Sequence, residues 1–207
     1  MNRKTNRERT QKQLGRHIRI SSKPKVHTGT DNISFEQKRK TISLKKYTAM
    51  AILTAVSLIL FTVEAALPPI PIQGVKIGFS NIVTLIAMIF LGRREAFIVL
   101  IMRIILAGVF AGSVLSFGFS IVGGIMAFII MALTVNFFGE KKIWIVSVLG
   151  AVFHNAGQLA VAIVATGTPS LSLYAPVLLL SAIVTGAIIG VVTTAVLISP
   201  LNRYRMN

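Results

Sequence analysis

Seven polar residues sit in or beside strongly apolar stretches of this chain: Glu64, Lys76, Asn81, Arg103, His154, Asn155 and Gln158. As a set they are rich in hydrogen-bond donors. Arg103 and Lys76 are cations, the amides and the imidazole offer N–H groups, and Glu64 alone is negative. Donors of this kind suit a carboxylate, a phosphate or electron-rich carbonyl oxygens. They do not suit covalent chemistry. The chain has no Cys, and two of its three His residues lie in the N-terminal 46 residues. That excludes thiolate nucleophiles, thiolate metal sites and a histidine metal cluster. No Gly-rich loop ending in Lys and Ser or Thr is present, so the chain does not hydrolyse nucleotide by itself. The expectation is a binding site with no catalytic residue, no metal and no cofactor.

Each residue also has a plainer reading. Arg103 could anchor the fold by binding backbone carbonyls or a carboxylate, but ionisable groups within a membrane more often mark function. His154, Asn155 and Gln158 could be ordinary interhelical hydrogen-bonding groups. Their i, i+4 spacing nevertheless puts His154 and Gln158 on one helix face, with Asn155 beside them. Lys76 could be a headgroup anchor. Its place between Gly74 and Gly78 also fits a mobile loop over a pocket.

Composition shows which elements must carry these groups. Of 207 residues, 54% are hydrophobic and 14% charged, and mean hydropathy is +0.75. A soluble domain carries about 25% charged residues. The expected fold class is therefore an all-α integral membrane protein. Six apolar runs read as six transmembrane helices: Tyr47 to Leu67, Phe79 to Leu91, Ala96 to Leu115, Phe117 to Phe138, Ile143 to Ala165 and Tyr174 to Ser199. Pro68, Pro69 and Pro71 must end the first, and the second is short for a span of about 20 residues. The hairpin from Gly74 to Arg103, with its Gly92-Arg93-Arg94-Glu95 turn, is the organising element. On helix rise alone Glu64 lies about 25 Å along the first helix and Arg103 about 12 Å into the third, a mismatch of about 13 Å.

Net charge is +16, but 14 of the 22 Lys and Arg residues precede Tyr47. Residues 1–46 read as a disordered basic tail that cannot bury enough apolar surface to order itself, with transient helix near Arg7 to Ile20. They do not resemble a cleavable signal peptide. Without aromatic interleaving, the tail points to anionic lipid headgroups rather than nucleic acid. Arg93-Arg94, Lys141-Lys142 and Arg203/Arg205 fall on the same side as the tail in a six-span chain. The positive-inside rule then places both termini, including residues 201–207, in the cytoplasm of a multi-pass protein of residues 47–200. Small residues recur at four-residue spacing: Gly108 and Gly112; Ala182, Gly186, Gly190 and Thr194; Ala51 and Ala55. These stripes permit close helix packing, inside the bundle or against a second membrane subunit.

The run Gly74-Val75-Lys76-Ile77-Gly78-Phe79-Ser80-Asn81-Ile82-Val83-Thr84-Leu85 resembles a bacterial membrane family. So do Leu91 to Ala96, Arg103 with Gly108 and Gly112, Gly123-Gly124 before Met131, and His154-Asn155-Ala156-Gly157-Gln158. That family goes by two names, Gx transporter and heptaprenyl diphosphate synthase component I, and the resemblance covers about Ala49 to Ser199. It is similar in turn to the S-components of energy-coupling-factor transporters. These imply six helices, cytoplasmic termini, an outward-facing pocket, and an Ala-x-x-x-Ala docking pattern on the first helix, which Ala51 and Ala55 match. The second name implies prenyl diphosphate chemistry. Chain-elongating synthases hold Mg²⁺ through Asp-rich clusters. The acidic residues here are only Glu8, Asp31, Glu36, Glu64, Glu95 and Glu140, with no Asp-rich motif.

Two functions follow as expectations. One is a binding and transport subunit for a small anionic or amphipathic molecule, working with an energy-coupling membrane subunit. The other is a non-catalytic membrane component of isoprenoid or quinone metabolism, beside a prenyl synthase subunit, or of flavin-based extracellular electron transfer. A ligand-free scaffold is the third reading, disfavoured by the polar sector around His154.

Overall fold

The computed structural model describes residues 29–66, 78–139 and 142–200. The chain divides into two units, Met1–Ile42 and Ser43–Asn207. Among the described residues it is all helical, with no strand: α1 Gly29–Ala66, α2 Asn81–Phe90, α3 Arg93–Ala111, α4 Val114–Phe138, α5 Ile143–Thr166, a 3₁₀ turn Pro169–Tyr174, and α6 Ala175–Ile198. Four segments among the described residues are long and apolar enough to cross a membrane: Ser43–Glu64, Val114–Phe138, Ile143–Thr166 and Pro169–Ile198. This is the make-up of a membrane protein. Among the described residues, α1 takes in residues 29–46 of the stretch expected to be a disordered tail. The expected transient helix near Arg7 to Ile20, the Pro68 to Pro71 break and residues 201–207 lie outside the described residues.

Within the second unit, α1 buries Met50, Thr54, Ser57, Phe61 and Glu64. The 4-3-4-3 spacing of these residues marks one helical stripe. Ile52, Val56, Ile59 and Val63 are exposed on its other sides, as a lipid-facing surface requires. Helix α2 is only 10 residues long, about 15 Å, half the hydrocarbon thickness. It is buried almost all round, including Asn81, Thr84, Leu85 and Met88. It is thus a half-helix inside the bundle, not a lipid-facing span. The chain turns at Gly92 into α3, where the Glu95 carboxylate meets Lys46 of α1 at 2.6 Å. Lys46 holds that carboxyl below the usual carboxylate range.

The boundary between α3 and α4 falls at Gly112-Ser113, three or four residues earlier than apolar character suggests. Gly112 adopts φ 61°, its N–H donating to Gly108, and Ser113 caps α4 by accepting from the Ser116 N–H. Hydropathy cannot register this stop, because capping chemistry rather than polarity makes it.

Helices α5 and α6 meet along the Ala182–Gly186–Gly190 stripe. A Cβ on Gly186 would stand 2.5 Å from the Val148 α-carbon, and one on Gly190 2.6 Å from that of Trp144. This stripe therefore closes an internal seam. Ala51 and Ala55, by contrast, are exposed on α1.

Candidate functional site

The site begins at the turn before α2. Gly78 has φ +90°, and a Cβ there would lie 2.9 Å from the His154 Cδ2 and 3.1 Å from the Asn81 Nδ2. Only glycine adopts this backbone easily and leaves the imidazole room. The Gly78 N–H donates to the Glu64 Oε1, which ties the turn to the end of α1. Two residues on, the Ser80 Oγ accepts from the Arg103 Nη1, which ties the same turn to α3. The Glu64 carboxylate also acts electrostatically on the guanidinium.

The glycine pair of α4 completes the enclosure. A Cβ on Gly123 would lie 3.0 Å from the His154 ring and the Gln158 Cγ, and one on Gly124 3.4 Å from the Arg103 Nη2. Successive helical residues point about 100° apart, so one glycine admits α5 and the next admits α3. On α5, the Gln158 Nε2 lies 2.9 Å from the His154 Nε2. An amide nitrogen donates, so in this amide orientation the imidazole nitrogen accepts.

Glu64, Asn81, Arg103, His154 and Gln158 therefore converge from four helices, and each is at most 5% exposed. Among the described residues, the Arg103 Nε and Nη2 and both amide atoms of Asn81 have no hydrogen-bond partner. Unpaired buried groups of this kind cost about 1–3 kcal/mol each, more when charged. Such a cluster offers cationic and amide N–H groups to an oxygen-rich ligand. It contains no nucleophile held by a base, and no group of three metal-ligating side chains occurs among the described residues.

Two candidates behave differently. Asn155 turns away from the cluster, its Nδ2 donating to the Leu178 carbonyl of α6 at 3.0 Å. Adjacent positions on α5 face different neighbours, so His154 and Asn155 do not share one wall. Lys76 lies outside the described residues. The structure adds Gly78, Ser80 and the Gly123-Gly124 pair as parts of the site or its frame. The contacts of Ser80 and the two glycines depend on tertiary approach, and no local pattern announces them.

The five side chains of the cluster are buried. Three apolar grooves of about 500, 370 and 330 Å³ lie between α1 and α3, α5 and α6, and at the α3–α4 turn. None of the three is lined by Arg103, His154 or Gln158.

Neither curated proteins nor solved structures provide a match to the chain. A family model does: the heptaprenyl diphosphate synthase component I model matches residues 53–196, from the inward stripe of α1 to the end of α6. The match spans the whole polar cluster and well over half of the sequence, and the chain belongs to the heptaprenyl diphosphate synthase component I family.

Proposed function

We propose that this protein is a membrane-embedded binding subunit that holds the anionic head of a small or amphipathic molecule at Arg103. The observation that carries this reading is the Arg103 guanidinium itself. It is 3% exposed, one nitrogen is held by Ser80, and two others have no partner among the described residues. A fully structural arginine in hydrocarbon is expected to spend all its donors on protein groups. Asn81, His154 and Gln158 complete the donor set, Glu64 balances part of the charge, and Lys76 is the further cation we assign to the site. Access is from the outer side, past the Gly78–Asn81 turn, after a movement that opens the buried cluster.

The spacing of Arg and Lys supports that direction: six crossings would put both termini, with Arg93, Arg94 and Lys142, in the cytoplasm. In that arrangement α3 makes the third crossing, and the short α2, enclosed by protein rather than lipid, makes the second together with the Gly78–Ser80 turn that leads into it. In this reading the chain works as S-components of energy-coupling-factor transporters do. The exposed Ala51 and Ala55 of α1 dock an energy-coupling membrane subunit, close packing being what small residues allow.

The family name favours a second reading, in which the same site presents an isoprenoid diphosphate to a separate prenyl synthase subunit. The chain would be its non-catalytic membrane component, since it lacks the Asp-rich clusters that hold Mg²⁺. Thermal stabilisation of the purified protein separates the readings. The panel is geranylgeranyl diphosphate, riboflavin, a carboxylate vitamin and an uncharged isoprenoid alcohol. A ligand of the folded state raises the melting temperature by mass action. Stabilisation by the diphosphate alone selects the second reading, and by riboflavin or the vitamin the first. Stabilisation by the uncharged alcohol alone, with none by any anion, contradicts both.

A further inference from the structure

We propose that the Glu64 carboxylate is a built-in competitor for the ligand. It holds the place of an anion beside Arg103 and, through Gly78, keeps the turn before α2 in place, so that the site selects a phosphate-type head over a monocarboxylate. This rests on the Arg103 reading and deepens it.

Glu64 and Arg103 are both at most 5% exposed, so a ligand reaches the guanidinium only when a covering element moves. Two contacts hold the turn before α2. The Arg103 Nη1 donates to the Ser80 Oγ, a neutral acceptor. The Gly78 N–H donates to the Glu64 Oε1, an anionic one. The same carboxylate attracts the Arg103 guanidinium electrostatically. One acid thus engages both the turn and the cation that a ligand needs. The other carboxylate among the described residues of this unit, Glu95, is paired with Lys46. Gly78 sits at φ +90°, where a glycine swings its backbone at little cost, so release of its N–H frees the turn to move.

The competition sets the ligand class. The Arg103 Nε and Nη2 have no partner among the described residues, but an anion that takes them comes to lie beside a second negative charge. In a poorly screened interior two anions share one guanidinium only against strong repulsion. Displacing Glu64 removes that repulsion and releases the Gly78 N–H in the same movement. A carboxylate tethered in the chain competes at an effective concentration of about millimolar. A free monocarboxylate brings the same charge and the same two oxygens, so it gains nothing over Glu64. A phosphate monoester brings nearly two charges and three acceptor oxygens. Those three oxygens match the Arg103 Nε, the Arg103 Nη2 and the released Gly78 N–H.

The test compares hexyl phosphate with hexanoate at about pH 8, where the phosphate is almost fully ionised. Each is titrated calorimetrically into the full-length protein in phosphatidylcholine nanodiscs. The wild type should bind hexyl phosphate at least about tenfold more tightly than hexanoate. Glu64→Gln keeps an acceptor for the Gly78 N–H and removes the competing charge. It should strengthen binding of both anions by about tenfold or more. Glu64→Ala should act in the same direction, and it carries the test if Glu64→Gln does not fold. A merely structural Glu64 predicts the opposite sign, weaker binding in both variants. That result, unchanged affinity, or hexanoate matching hexyl phosphate in the wild type would overturn the proposal and leave the Arg103 reading standing. Binding of neither anion to any of the three proteins would remove the Arg103 reading, and this inference with it.

Discussion

Glu64 and Arg103 are joined through a single turn of chain. Gly78 donates its N–H to the Glu64 carboxylate, and two residues later the Ser80 hydroxyl accepts from the Arg103 guanidinium. Helix rise alone sets the two residues about 13 Å apart in depth, yet both side chains reach the same turn. An acid on α1 and a base on α3 thus both bear on the start of the half-helix α2.

Replacing Gly78 tests the turn. Alanine there would combine a φ of +90° with a Cβ 2.9 Å from His154. The expected cost of Gly78→Ala is about 1–3 kcal/mol, read as a lower melting temperature. Shrinking the neighbour, in Gly78→Ala/His154→Ala, should recover the steric part and leave the backbone part. A melting temperature unchanged in the single variant would show that the turn does not rest on His154.

The Lys46–Glu95 pair gives a pH signature. Its carboxyl is depressed chiefly by the hydrogen bond from Lys46, so its contribution is present above the unfolded-state value, about 4.3. That contribution is lost as pH falls through the lower folded value. The pair is partly solvated, so its contribution is screened to about 0.5 kcal/mol. Wild type and Glu95→Gln should therefore differ in melting temperature at neutral pH and converge on acidification. A difference that grows below pH 4 would contradict the sign.

Topology can be read with introduced cysteines, because the native sequence has none. Cysteines at Arg94, Lys142 and Asn207 should resist impermeant thiol reagents on intact cells. Those at Gln73 and Ser170 should label. Labelling at Arg94 would reverse or break the six-crossing arrangement.

How much of this was legible beforehand depended on the physics involved. The apolar runs and the buried positions of Glu64, Asn81, Arg103, His154 and Gln158 follow from hydropathy and periodicity, which are local. The assembly of those residues into one cluster is tertiary. It hangs on Gly78, Gly123 and Gly124, whose importance lies in what a Cβ would strike. Asn155 is instructive: one residue of helical rotation, about 100°, moves it from the expected wall to the α6 side, and sequence adjacency to His154 hid that. Small-residue stripes were ambiguous for a similar reason, since identical spacing serves an internal seam at Gly186 and an exposed surface at Ala51.

That contrast is itself testable. Gly186→Val would force a branched side chain against the Val148 backbone, and overpacking of this kind costs about 1–3 kcal/mol or more. Ala51→Leu and Ala55→Leu add bulk on an exposed face and should leave the melting temperature nearly unchanged, while reducing co-purification of a coupling subunit. A large thermal loss in the Ala51 variant would place that stripe inside the fold.

The most direct measurement is melting temperature and ligand affinity on one purified sample of Arg103→Ala, using the panel compound that stabilises the wild type. If Arg103 holds the ligand, its loss removes a charge-assisted bond of about 1.5–3 kcal/mol. Affinity should then fall roughly tenfold to a hundredfold, with Arg103→Lys restoring only part because the planar fork is gone. A steep drop in melting temperature with affinity unchanged in the folded fraction would contradict the account and make Arg103 a structural anchor.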